Sequence, residues 1–300
     1  MTINVKDGGT FREVNQVYVH DGTSFTNKTI TNAYVKDGGV WREIFTLFNT
    51  TAFSQTTGSV TVPTNANAFH IRFATGGGSG GVGGAEYDKA GGESAGAGGA
   101  SGAFISDKVF TVTSGETLNI NVGAAGTGTG GGYNTTAGNG GDTTITSSSS
   151  GINITLRGGV GGNGNSGGVQ GPLRNNVAST GGTATISGTV LTSGTSVDGL
   201  NITSFTTGPV GTFNQSGNGT AGVNPGNCGG DNCQIAGGNG GASYGNPGSS
   251  DFAGGSGAPA GGSGSAGNRG SGGGGGGAQP QSAGSNGGAG EIEYRFLRIA

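Results

Sequence analysis

The chain has 300 residues, of which 75 are glycine; 30% are hydrophobic, 10% are charged, and the formal net charge is −3. Glycine stands far above the roughly 7% of ordinary globular proteins, and so little charge argues against disorder maintained by self-repulsion. The balance also argues against nucleic acid, whose binders present clustered basic surface, and no stretch reaches the about 20 apolar residues that span a bilayer.

The opening "MTINVKDGGT" has no charged region followed by an apolar run, so no secretory signal is expected and the product is released into the cytoplasm that makes it. Residues 1–48 contain an internal repeat: "INVKDGGTFREV" from Ile3, "VYVHDGTSFTNKTI" from Val17 and "AYVKDGGVWREI" from Ala33. Asp-Gly between extended runs is a hairpin signal, because glycine accepts the positive φ of a tight turn. Phe11, Phe25 and Trp41 recur at matching positions, as do Arg12 and Arg42, and these are the candidate assembly residues. His20 takes the place of Lys6 and Lys36 in the repeat, which makes it a turn residue rather than a base. The unit is too short to bury much core alone, so it is expected to dock on a partner or on copies of itself.

Residues 49–158 are expected to hold an antiparallel β-sandwich with the first glycine tracts. Phe69, Ile71 and Phe73 alternate with His70 and Arg72, the period of a half-buried strand with His70 in solvent. The pattern returns in "AFISDKVFTV", "ETLNINVG" and "GINITLRG". It returns again in "EIEYRFLRI", where Ile292, Tyr294 and Phe296 share a face. Residues 291–300 thus close the sandwich, and the glycine-rich material of 159–290 is anchored at both ends.

The glycines keep phase. They fall at 255, 261, 264, 267, 270, 273 and 276, at 158, 161, 164 and 167, at 96, 99 and 102, and at 284, 287 and 290. A beat of three is that of a polyproline II-type helix, with three residues per turn. Collagen shares the beat but needs prolines, and there are 7 in the chain. A mobile Gly/Ser linker has no reason to keep it. The expectation is an all-β chain carrying a bundle of short, antiparallel polyglycine II-type rods. Such rods confine variable chemistry to the turns between them. Those turns supply the candidate receptor-binding residues Tyr133, Asn134, Arg174, Asn175, Phe213, Asn214, Tyr244 and Phe252. Aromatic faces give contact area and amides give hydrogen bonds at modest desolvation cost.

The "VKDGG…F/W-R-E" repeat resembles short N-terminal modules of bacteriophage virion and tail-fibre proteins. The run from "FHIRFATGGGSGGVGG" through "GNGGDTTIT" to "GGAGEIEYRF" is similar to the glycine-rich domain of phage tail proteins. The alternation of glycine motifs with variable segments also looks like the adhesins at the fibre tips of T-even-like phages, although the start of this chain departs from their attachment domain. The resemblance implies a virion protein, made in the host cytoplasm and often homotrimeric. Its partners would be other virion proteins and a host-surface glycan or outer-membrane protein, with no nucleic acid and no membrane insertion.

No catalytic site or cofactor is expected. Glu86 with Asp88, Asp231, and Glu291 with Glu293 are the carboxylates available for glycosidic cleavage. The last pair lies at a chain end, where solubility explains it. The many Gly-x-Gly patterns precede no helical pattern, so no phosphate loop is read. Asp142 stands alone as a calcium ligand. Cys228 and Cys233 form either a small disulfide-closed loop or two free thiols, and two cysteines give no zinc site. Two readings remain: a receptor-binding adhesin, and a structural virion appendage or decoration without receptor contact.

Overall fold

The computed structural model describes residues 4–7, 10–13, 18–20, 25–27, 32–37, 40–46, 52–54, 57–64, 66–83, 96–130, 135–161, 181–191, 239–240, 255–257, 262–276 and 282–298. These form strands and connecting segments, with no helix among them. The strands pair antiparallel throughout.

Three hairpins come first: β1 (Asn4–Asp7) with β2 (Thr10–Glu13), β3 (Tyr18–His20) with β4 (Phe25–Asn27), and β5 (Asn32–Asp37) with β6 (Val40–Thr46). Their registers match. Lys6 lies opposite Phe11, His20 opposite Phe25 and Lys36 opposite Trp41, with Val5 opposite Arg12 and Val35 opposite Arg42. Each expected assembly residue therefore occupies an equivalent register position in its strand pair. Each hairpin is a two-stranded sheet among the described residues.

The remaining strands make two larger sheets. β7 (Ala52–Ser54), β9 (Ala68–Thr75), β10 (Phe104–Thr111) and β15 (Glu291–Leu297) give the order β10-β9-β15-β7. β8 (Gly58–Thr61), β11 (Thr117–Asn121), β12 (Thr143–Ser147), β13 (Asn153–Leu156) and β14 (Ala184–Ser187) give β14-β13-β12-β11-β8. Both sheets supply one apolar core. Phe69, Ile71, Ile105, Phe110 and Ile292 come from the first, and Leu118, Ile145, Ile154 and Leu156 from the second. Ile120, Ile145, Ile154 and Ile186 stand opposite one another across four strands, the cross-strand contact that β-branched residues favour. At the other side of the core Phe69, Tyr294 and Phe296 form an aromatic cluster, with ring centroids 5.3 to 5.9 Å apart. Burial raises the Tyr294 phenol above its ordinary range.

The alternation expected along β9 breaks at Arg72. Glu293 pairs with Phe73 and the next residue, Tyr294, pairs with Ile71, so β9 carries one extra residue there. A bulge reverses which side chains face inward. Ala74 joins Phe69 and Ile71 in the core, whereas the Phe73 ring lies under the Arg269 guanidinium at 6.0 Å. Two further expectations are corrected on this sheet. His70 is fully buried, and its Nδ1 accepts a hydrogen bond from Arg295 Nε at 3.0 Å. Glu291 and Glu293 are also buried rather than solvated, because Arg269 pairs with the first and Arg72 with the second.

Glu116 ties two turns of the sheets together. Its Oε1 accepts from Thr113 N at 2.7 Å, and its Oε2 accepts from Ser150 N at 2.9 Å and from the Ser149 amide and hydroxyl. Burial pushes this carboxyl upward, but the amide and hydroxyl donors outweigh it and the net shift is downward.

Between the strands run the glycine segments, and their hydrogen bonds repeat every third residue. In segment 76–83, Gly76, Ser79 and Val82 donate to Ala103, Ala100 and Ala97. Gly77 and Gly80 donate to Gly141 and Gly138, and Gly78 and Gly81 donate to Gly288 and Ser285. Its carbonyls accept from three further segments: from Gly159, from Gly126 and Thr129, and from Gly273 and Gly276. One segment is thus ringed by six others. The phased glycines behave alike. Gly96, Gly99 and Gly102 donate to Gly276, Gly273 and Gly270, and Gly284, Gly287 and Gly290 donate to Thr129, Gly126 and Gly123. Neighbours run in both directions rather than all antiparallel, since Gly126 and Thr129 meet Gly78 and Gly81 in ascending order.

Such close approach leaves no room for side chains. A Cβ on Gly78 would stand under 3.0 Å from the Ser271 carbonyl, which is backbone on a rigid neighbour, whereas a Cβ on Gly58 would meet nothing within 4 Å. Gly78→Ala is therefore expected to cost about 1–3 kcal/mol by overpacking, and Gly58→Ala to leave denaturant unfolding unchanged within about 0.5 kcal/mol.

Because the Glu116 carboxyl is depressed in the folded state, its contribution is complete above the ordinary value of 4.5 and is lost as pH falls through the lower folded value. Glu116→Gln replaces one acceptor oxygen by an amide donor facing the Thr113, Ser149 or Ser150 N–H groups and should cost about 1–3 kcal/mol near neutral pH. The difference from wild type should shrink on acidification in pH-dependent melting.

Candidate functional site

The glycine segments have two ends, and different chemistry gathers at each. At the sheet end, segment 76–83 continues directly from β9, 96–103 leads into β10, 135–142 into β12 and 282–290 into β15. The bonds Gly76 N to Ala103 O (2.8 Å) and Gly290 N to Gly123 O (2.8 Å) mark this level. At the opposite end the termini of three segment pairs are joined. Val82 N donates to Ala97 O at 2.8 Å, Gly276 N donates to Val82 O at 2.9 Å and Gly96 N donates to Gly276 O at 2.8 Å. Gly83 N donates to Thr129 Oγ1 at 3.0 Å, and Gly284 N to the Thr129 carbonyl at 2.9 Å. The described residues that border 84–95, 131–134 and 277–281 therefore lie at the end of the glycine segments away from the strands. Tyr87, Tyr133, Asn134, Gln279 and Gln281 belong to these connections.

Of the expected receptor-binding residues, Tyr133, Asn134, Arg174, Asn175, Phe213, Asn214, Tyr244 and Phe252 all lie outside the described residues, as do Cys228 and Cys233. The structure places the described flanks of Tyr133 and Asn134 at the remote end. Among the assembly residues, the backbones of Phe11, Arg12, Phe25, Trp41 and Arg42 lie in the three hairpins.

The sheet end carries an anchor that the glycine beat alone did not reveal. Segments 262–268 and 271–276 are joined by Asn268-Arg269-Gly270-Ser271, where Ser271 N donates to Asn268 O at 2.7 Å. Arg269 and Gly270 have φ of 31° and 73°, and positive φ at both central residues is the signature of a type I′ turn. Glycine adopts that geometry freely, but arginine does not. The Arg269 side chain ties the turn to the sheet: Nε lies 3.3 Å from Glu291 Oε2, and the guanidinium sits over Phe73. A signal was present in the sequence, since Arg269 is the single Lys or Arg between Arg174 and Arg295.

Other polar residues among the glycine segments also have structural partners. Asp142 Oδ1 accepts from Gly158 N at 2.9 Å, and Asn139 Oδ1 accepts from Gly161 N at 2.8 Å, so side chains substitute for a neighbouring carbonyl on the same beat of three. Ser79, fully buried among the glycine segments, accepts from Ala100 N at 2.7 Å, and its hydroxyl proton is within reach of the Val160 and Ala100 carbonyls at 3.2 and 3.3 Å. No group of three or more His, Cys, Asp and Glu placed to hold a metal occurs among the described residues.

A glycine-rich domain profile matches residues 51–297, which takes in both large sheets and every described glycine segment. The chain belongs to the glycine-rich domain family. Comparison with curated proteins gives no match. The glycine-rich domain begins after the three hairpins, so they lie outside the matched residues.

Arg269→Ala keeps the unfavourable φ and leaves Glu291 buried without this partner, so stability should fall by about 1–3 kcal/mol. Arg269→Gly also removes the ion pair but relieves the backbone. It should lose less, and comparing the two unfolding curves separates side-chain anchoring from turn strain.

Proposed function

We propose that this chain is a non-enzymatic fibre or tail protein of a bacteriophage virion that attaches the particle to the host surface. In this reading the glycine segments form a polyglycine II-type bundle that holds connecting turns rigidly. The N-terminal hairpins join the chain to other virion proteins or to copies of itself in a homotrimer. The turns contact a host glycan or outer-membrane protein.

The observation that carries the proposal is the convergence of three connections at one end of a hydrogen-bonded block. The described flanks are held by backbone bonds to one another, which supports reading the tyrosines and amides of these connections as parts of one surface. Rigid presentation lowers the entropic cost of binding, and tyrosine with asparagine or glutamine gives contact area and adaptable hydrogen bonds without buried charge. The three-residue recurrence of bonds to separate neighbours is the pattern that threefold rods produce. It supports the bundle over a collagen-like or linker reading. The repeat of basic and aromatic residues in the hairpins supports a separate assembling role for residues 1–48.

The test is competition. Purified protein added to host cells before infection should reduce adsorption of the particle in a dose-dependent way, and Tyr133→Ala combined with Tyr87→Ala should weaken that competition by about tenfold or more, the loss of one hot-spot contact. Full competition by the double variant, with deletion of residues 1–48 blocking incorporation, would favour a structural appendage without receptor contact.

A further inference from the structure

The five-stranded sheet turns one face to the core and the other to solvent, and the outer face is unusually uniform. Where Ile120, Ile145, Ile154 and Ile186 point inward, the residues between them point outward. Ser59, Asn119, Thr146, Asn153 and Ser187 stand opposite one another in a row across all five strands. A second row runs Asn121, Thr144, Thr155 and Thr185. Asn119, Asn121, Asn153, Thr185 and Ser187 are exposed, and Thr144, Thr146 and Thr155 are half-buried. Ser59 Oγ donates to Asn119 Oδ1 and Thr57 Oγ1 to Asn121 Oδ1, both at 2.7 Å, and Asn121 Nδ2 donates to the Asp142 carbonyl at 3.5 Å. The rows hold no charged, aromatic or large apolar residue. The charges nearest in register, exposed Asp142 and Arg157, border the second row on the side of the glycine segments.

This chemistry narrows the partner. A protein partner would look for aromatic or aliphatic anchors, and Val160 is the one large hydrophobic side chain exposed among the described residues. A nucleic acid needs basic side chains to neutralise phosphate, and a membrane surface needs basic or apolar ones. Hydroxyls and amides repeated at strand spacing, about 4.8 Å across and about 6.8 Å along, match a polymer that offers uncharged hydroxyls at regular intervals. Five strands give a row about 19 Å long, enough for several consecutive sugar units. We propose that this face binds a linear neutral polysaccharide, with Asn119, Thr146, Asn153 and Thr155 as its central contacts. The site is separate from the remote end of the glycine segments and does not depend on the attachment reading.

The experiment is native electrophoresis of the full chain through gels cast with dextran, hydroxyethyl cellulose, galactomannan or soluble starch. Retardation is expected in at least one, and Thr146→Glu with Thr155→Glu should reduce the apparent affinity tenfold or more. Tyr133→Ala should leave it unchanged, which separates this face from the remote end. Should the glutamate variant unfold, Thr155→Val keeps the shape, removes one hydroxyl and carries the same direction of effect, while Thr155→Ser should retain binding. Equal mobility in all four gels, retardation insensitive to these substitutions, or thermal hysteresis in freezing solutions (a lattice that orders water instead) overturns the proposal.

Discussion

A backbone N–H removed from water must find an acceptor, and a buried segment without side chains can find one only on another segment. That requirement organises this chain. Segment 76–83 lies wholly buried, and its amides and carbonyls are shared among six neighbouring segments. Ordering glycine costs about 1–2 kcal/mol per residue against about 1 kcal/mol net per hydrogen bond, so no single segment is stable alone. The segments stand because they are held together and because the two sheets fix their starting points.

The sheets do this through shared chain. β9, β11, β13 and β15 each join a glycine segment directly, so the apolar core and the glycine block are continuous through the same strands. Arg269 adds a contact in the opposite sense, from a glycine turn back to Glu291 and Phe73. The bulge at Arg72 shifts the register next to Phe73, the buried ring over which the Arg269 guanidinium sits. Glu116 performs a comparable task for the strand turns, binding two of them through one carboxylate.

Much of this was legible in the residues. The spacing of Gly96, Gly99 and Gly102, and of Gly284, Gly287 and Gly290, foretells their common partners, because three residues make one turn and return each amide to the same side. The apolar alternation of β11 and β13 likewise marked both as strands, whereas β12, with Ile145 alone among threonines and serine, carried too short a pattern to be singled out. What failed has physical reasons. An extra residue in a strand leaves no mark in local composition, so the alternation of Phe69, Ile71 and Phe73 gave no sign of the bulge at Arg72. Glu291 and Glu293 looked solvated because their cationic partners are remote or adjacent only through the bulge. His70 looked solvated because alternation says which face a residue takes, not whether that face is covered. The receptor candidates belong to turns, where the repetition that makes glycine segments readable ends.

The three-residue recurrence also constrains how such a chain can change in length. Inserting one residue inside a segment rotates everything beyond it by a third of a turn and delivers each later amide to the wrong neighbour. Inserting three restores every address one step further along. Related chains should therefore differ in segment length by whole triplets while their connections vary by any number, a reading frame enforced by hydrogen bonds rather than by codons.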